Sequence, residues 1–262
     1  MEYETIKLAL DGARATIILN RPDVLNAMST QMGVDIRDAL RVVCQNEKLK
    51  VLILTGEGNS FCAGGDMDEI LRVNSDAVEA HRVVKVYLDC IEKIRTMDIP
   101  VIARINGDAY GGGAILAIAC DFKIAVEAAK FGFLFVRVGL TGADAGAAYL
   151  LPRLVGLTRA TEMLMLGEVI GAPDAYRMGM LTRVVPPEGL DDEVSRLVNK
   201  ILNGPTLAIK MTKKALTGSL DKDLKTELDF ECYAQTLCIQ SADAREGVKA
   251  FKERREPVFQ GK

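Results

Sequence analysis

Two glycine-bearing segments, GNSFCAGGD (58–66) and INGDAYGGGA (105–114), each follow a short apolar run, KVLILT and VIAR. Glycine lets the chain turn sharply and leaves the main chain bare to a ligand. A glycine cluster that opens a helix aims backbone N–H groups at negative charge. Two such loops meeting at one point supply a pair of donors to a single oxygen, which is how an oxyanion hole is built. Each loop alone is better explained as a strand-to-helix turn. Neither contains G-x-x-x-x-G-K-[ST], and GDAYGG is not G-x-G-x-x-G, so a phosphate cradle is not indicated.

Asp144 lies among small residues in GADAGAAYLL, which leaves room for a substrate, and burial would raise its pKa toward acid/base use. It also reads as a helix N-cap, because an apolar run follows. Tyr110 and Tyr149 are candidate proton donors or core residues. Asp66, Asp68 and Glu69 read as a turn and the first helical positions, where acidic residues suit the helix dipole. His81, the one histidine, is placed on a helix facing water or the pocket, and Arg137 in a strand-like apolar run. The six cysteines (Cys44, Cys62, Cys90, Cys120, Cys232, Cys238) have no C-x-x-C spacing. They read as reduced core residues, and no metal site is expected.

The elements that must hold these groups follow from hydrophobic period. IKLALDGARATIILN is a strand pair around Asp11-Gly12. STQMGVDIRDALRVVCQN begins with a cap at Ser29 or Thr30 and continues at helical spacing, and KVLILTG is a buried strand. A helix near 77–97, the strand VIARING, a helix over 113–120 and the strand FKIAV repeat the cycle, so the chain is α/β with largely parallel strands. After about Leu157 only LTRVVP reads as a strand. GLDDEVSRLVNKIL and the stretches 205–217, 221–240 and 241–252 read as helices.

Composition agrees with one large domain: 262 residues, 49% hydrophobic, suffice for a sizeable core. A net charge of −3 gives no reason to expect nucleic acid. No apolar run approaches the roughly 18 residues that span a bilayer, and MEYET is not a secretory signal. A cytoplasmic protein is expected.

The order LNRPDVLNAMS, SFCAGGD, INGDAYGGGAILAIACDFKIA, FGFLFVRVGL, LPRLVGLTRATEMLMLGE, GMLTRVV and FKERREPVF runs through nearly the whole chain and resembles the crotonase (enoyl-CoA hydratase/isomerase) family. The resemblance implies a spiral of β-β-α turns over residues 1–190, carrying an acyl-CoA site. It implies a C-terminal helical region over 191–262 that serves trimerisation, giving a homotrimer or homohexamer. The oxyanion donors would be the N–H groups of Gly65 and Gly112. Arg21, Val24, Leu25 and Ala27, with Ala63, Gly65, Asp66 and Met67, would line the CoA path. Phe251 and Arg254 would reach CoA, commonly that of a neighbouring subunit. CoA is then part of the substrate, and no metal or redox cofactor is implied.

The two glutamates of hydratases fall at Ile115 and Phe135, so both carboxylates are missing. Asp144 falls where dienoyl-CoA isomerases carry an aspartate, in a loop one residue longer, and aryl-CoA dehalogenases also have an aspartate near it. Tyr110, Ile115, Phe135 and Tyr149 would form the substrate pocket. The resemblance points to hydration or double-bond isomerisation of an unsaturated acyl-CoA with Asp144 as acid/base. A hydrolase, decarboxylase or dehalogenase of the same family, or a non-catalytic CoA-binding protein, is the alternative.

Overall fold

The computed structural model describes residues 2–219 and 221–261. Met1 and Lys262, at the outer ends of the two regions expected from sequence, and Leu220, inside the second, lie outside them. β1 (Ile6–Asp11) and β2 (Arg14–Leu19) form the expected antiparallel hairpin. Ala15, Ile17 and Leu19 of β2 alternate into the core. The Ser29 hydroxyl caps α1 (Thr30–Gln45) by accepting from Met32 N at 3.2 Å. This helix buries Met32, Ile36, Ala39, Leu40 and Val43, one stripe at helical spacing.

The spiral follows from three successive strand pairs. β3 (Val51–Gly56) leads to β4 (Ser60–Cys62), then α2 (Met67–Val73) and α3 (Ala77–Thr96). β5 (Val101–Ile105) leads to β6 (Asp108–Tyr110) and α4 (Gly112–Ala119). β7 (Phe122–Val126) leads to β8 (Lys130–Gly132), a 3-10 turn over Leu134–Val138, then α5 (Ala147–Val155) and α6 (Leu157–Leu166). β9 (Val169–Gly171), α7 (Ala172–Arg177), β10 (Arg183–Val185) and α8 (Leu190–Leu202) complete the core. The five longer strands and the three-residue β10 build one sheet in the order β1-β2-β3-β5-β7-β10, parallel from β2 onward. β3 is buried at every position, as a central parallel strand must be. The short strands build a second sheet, β4-β6-β8-β9. Each turn of the chain therefore adds one strand to each sheet.

Three readings from sequence change. The strands β4, β6, β8 and β9 were not foreseen, and Arg137 sits in the 3-10 turn rather than a strand. Cys62, Cys90 and Cys120 are buried, their thiols pushed up to about 12 chiefly by burial, but Cys44 and Cys232 are exposed and Cys238 is half-buried. The core also runs past residue 190: α8 packs Leu190, Val194, Val198 and Ile201 against β3, β5 and β7.

Beyond α8 the chain is helical, with α9 (Thr206–Gly218), α10 (Leu224–Gln240) and α11 (Ala242–Glu253). Lys213 pins α9 to the core: its Nζ pairs with Asp121 at 2.7 Å and donates to the carbonyls of Ile94 and Ile99. The outer helices leave Leu224, Leu228, Tyr233, Ile239, Val248 and Phe251 exposed, Phe251 at 85%. No helix among the described residues is long and apolar enough to cross a membrane.

Candidate active site

The loops after β4 and β6 converge because those strands are parallel neighbours, with Cys62 opposite Ala109. Their contact is tight enough to demand glycine. Gly64 has φ +95°, and a Cβ there would stand 2.8 Å from the Tyr110 carbonyl oxygen. A Cβ on Gly113 would stand 2.3 Å from the Cys62 carbonyl oxygen. Both loops line a cavity of about 280 Å³ whose walls also include Met28, Glu69, Ile70, Val83, Val84, Tyr87, Leu134, Phe135, Val138, Leu140, Asp144 and Ala145.

Two backbone N–H groups at the cavity make no hydrogen bond among the described residues. Met28 N donates to Gly64 O (2.7 Å) and Asp66 N donates to Met28 O (3.1 Å), so the bridge between Met28 and Gly65 engages the neighbours of Gly65 and leaves its own N–H without a hydrogen bond among the described residues. Gly111 N is taken by Gly132 O at 2.8 Å. Gly112 is the first residue of α4, where an N–H has no intrahelical partner. The positive end of that helix adds to the field at the same spot. The pair expected from sequence, Gly65 and Gly112, thus lines one cavity.

The first loop is braced from the N-terminal side. Arg21 Nη1 donates to Ala27 O (2.6 Å) and pairs with Asp66 Oδ2 (3.0 Å). Ala63 N donates to Leu25 O at 2.9 Å. Buried Asn26 accepts from Arg21 N and donates to the carbonyls of Glu57 and Ser60, each at 3.0 Å. Arg21 is therefore no loose surface charge. Ala63, Gly65, Asp66 and Met67 line the cavity, while Val24 and Leu25 are exposed on the adjoining segment. Phe251 and Arg254, at the end of α11, are not part of the cavity wall.

Asp144 stands in that wall without an ion pair among the described residues. Burial pushes its carboxyl above the usual aspartate range, and the Ala145 N–H opposes this in part. The capping alternative fails: the N-cap of α5 is Gly146, and it is the main-chain oxygen of Asp144 that accepts, from Ala147 N at 2.7 Å. The other carboxylates are held. Asp66 caps α2 and binds Arg21, while Glu69 Oε2 accepts from both Thr30 N and Thr30 Oγ1 at 2.6 Å.

The remaining candidates divide. Phe135 and Tyr110 line the cavity. The Tyr110 hydroxyl donates to Asp108 Oδ2 at 2.9 Å, and burial and that carboxylate push it up to about 12, so its proton is committed elsewhere. Ile115 is fully buried within α4 and does not line the cavity. Tyr149 is displaced from the pocket: its hydroxyl donates to Asp221 and Arg153 stacks on its ring, because it projects from the outer side of α5. His81 is exposed on α3. Sequence reasoning missed Val83, Val84 and Tyr87, which share a helix with His81. Period alone foretells that helix but not which stripe meets a cavity.

Residues 11–262 match the family model described as enoyl-CoA hydratase/isomerase. The chain is 37% identical to a crotonyl-CoA hydratase of Syntrophomonas wolfei, covering 99% of each chain. It is 36% identical to a 1,2-epoxyphenylacetyl-CoA isomerase of Escherichia coli, covering 94% of this chain and 95% of the relative. The crystal structure of an enoyl-CoA hydratase from Bacillus anthracis superimposes with a TM-score of 0.92 at 32% identity, over 99% of this chain and all of the other.

Proposed function

The chain belongs to the enoyl-CoA hydratase/isomerase family, and we propose from that premise that it hydrates or shifts the double bond of an unsaturated acyl-CoA through a thioester enolate. One observation carries this reading: two backbone N–H groups with no hydrogen bond, and a half-buried carboxyl with no ion pair, among the described residues line the same cavity. An enolate concentrates charge on the thioester oxygen, and preorganised donors bind that charge more strongly than the neutral carbonyl. Gly65 and Gly112 supply the donors. Asp144 moves the proton at the carbon skeleton, a task that the apolar side chains of Ile115 and Phe135 cannot perform.

This chemistry draws on backbone dipoles and a carboxyl group and calls for neither a metal nor a redox centre. CoA enters as part of the substrate, along Arg21 to Ala27 and Ala63 to Met67. The exposed apolar faces of α10 and α11 support a trimer, or two trimers paired as a hexamer. In that assembly Phe251 and Arg254 would meet a neighbour's CoA. The working compartment is the cytoplasm.

Asp144→Asn tests the assignment, because Asn fills the same space without transferring a proton. Turnover over a panel of enoyl-CoAs is expected to fall by ~100-fold or more, with the denaturation midpoint not lowered. An Asn variant as fast as the native enzyme removes Asp144 from the reaction. Binding of CoA thioesters with no turnover by the native chain points instead to a non-catalytic CoA-binding role.

A further inference from the structure

Three carboxylates line the cavity, and their hydrogen bonds distinguish them. Asp66 has both oxygens engaged: Oδ1 accepts from Asp68 N at 3.2 Å and Oδ2 pairs with Arg21. Asp144 comes from the loop before α5 and has no side-chain partner among the described residues. Glu69 comes from the first turn of α2, four residues after the donor Gly65. Only one of its oxygens is engaged: Oε2 receives both Thr30 N and Thr30 Oγ1 at 2.6 Å. Oε1 has no hydrogen bond among the described residues. The double contact at Oε2 fixes the carboxylate while leaving a second oxygen to act.

We propose that Glu69 is the second proton-handling carboxylate of this cavity, activating the water in hydration while Asp144 delivers the proton to the neighbouring carbon. The inference rests on the reading of Asp144, Gly65 and Gly112 as the active centre. Adding water across a double bond needs one group to take a proton from the water and another to give one to carbon. As the water oxygen bonds to the β-carbon, Glu69 Oε1 accepts a water proton. The π pair moves toward the α-carbon, and the negative charge settles on the thioester oxygen between the two glycine donors. Asp144, protonated at the start, transfers its proton to the α-carbon. The product has gained H and OH, and a proton passing from Glu69 to Asp144 through solvent restores both groups.

Double-bond migration makes a different demand. One carboxylate can remove a proton from one carbon and return it to another, so Asp144 suffices and Glu69 is dispensable. This contrast gives a readout that a merely structural glutamate would not produce.

The experiment compares hydration of crotonyl-CoA with isomerisation of a 3-enoyl-CoA in the intact protein and in Glu69→Gln. Gln keeps an oxygen to accept from Thr30. Hydration is expected to fall by ~100-fold or more, the usual range for an acid/base group, while isomerisation stays within a few-fold. Unchanged hydration overturns the proposal. So does an equal loss of both reactions, which would make Glu69 only a brace for the Gly65 loop. A native enzyme that isomerises but does not hydrate overturns it as well.

Should Glu69→Gln fail to fold, Glu69→Asp retains the charge and withdraws the carboxyl by one methylene. A selective loss of hydration of up to about 100-fold is then expected, and an unchanged ratio of the two rates refutes the proposal. Asp144→Asn in the same assays separates the two levels. If it leaves both reactions intact, the reading of the active centre fails whatever Glu69 does.

Discussion

The Gly112 N–H can be deleted by a single substitution, Gly112→Pro, at a position where proline suits the backbone. Gly112 is the first residue of α4, and proline is tolerated there because that N–H has no helical partner. The substitution also adds bulk: a Cβ at this position would stand 2.6 Å from Met28 Sδ and 3.1 Å from its Cε. The neighbour is a flexible thioether able to change rotamer, and overpacking of this kind costs about 1–3 kcal/mol of stability. Gly112→Ala adds the same Cβ and keeps the N–H, so it isolates the steric part. An oxyanion donor contributes about 2.7–4 kcal/mol to the barrier, or roughly 100- to 1,000-fold in kcat. Gly112→Pro should therefore turn over enoyl-CoA slower than Gly112→Ala by that factor, with both variants shown to be folded by thermal denaturation. A folded proline variant within a few-fold of the alanine variant would refute Gly112 as a donor.

Asp144 also predicts a pH dependence of stability. Its folded pKa is raised above 3.8, so between 3.8 and the raised value the native state holds a proton that the unfolded chain has lost. Stability from this group is complete below 3.8 and falls as pH rises through the folded pKa. Asp144→Asn should gain on the native protein in denaturant midpoint over that window and hold a constant advantage above it; parallel pH curves would contradict the raised pKa. Lys213→Met should destabilise the fold by about 3–5 kcal/mol in chemical denaturation, the usual cost of leaving one partner of a buried pair uncompensated, since Asp121 would lose its cation. A cost under about 1 kcal/mol, typical of a surface ion pair, would show that Lys213 does not pin the tail. Light scattering at micromolar concentration should find trimers or hexamers, and a monomer would defeat the proposed role of Phe251 and Arg254.

The sequence made the larger sheet legible because its strands carry a burial pattern. KVLILTG is apolar throughout and occupies the middle of a parallel sheet, while the Asp11-Gly12 hairpin announces its own turn. The second sheet was invisible for a physical reason. β4, β6, β8 and β9 are three residues each, too short to show a period of two, and β9 follows a helical run that conceals it; β10 is no longer, and only its paired valines before Pro186 mark it. The two loops were legible through glycine, which marks places where main chains nearly touch, and the family resemblance singled out Gly65 and Gly112 within them. Tyr149 was misplaced because a helix just past a cavity-lining loop presents one side to the cavity and the other to solvent. Residue spacing within YLLPR does not say which side is which until α6 and Asp221 are in place.

Glu69 shows a different limit. An acidic residue in the first turn of a helix already has a sufficient local explanation in the helix dipole, so nothing in MDEILRV asks for a further role. The partner that gives it one, Thr30, lies 39 residues earlier in the chain and meets it only through tertiary folding. Backbone donors differ in this respect from acid/base side chains. Gly65 and Gly112 are held by strand pairing and glycine contacts, so their geometry survives substitution of the side chains around them. A proton-transfer group needs only to reach the same enolate, and any wall of the cavity can supply it. The loss of carboxylates at Ile115 and Phe135 therefore does not by itself remove the chemistry. On the proposed mechanism the demand falls to Asp144 and Glu69, and the separate hydration and isomerisation rates of their variants report whether that demand is met.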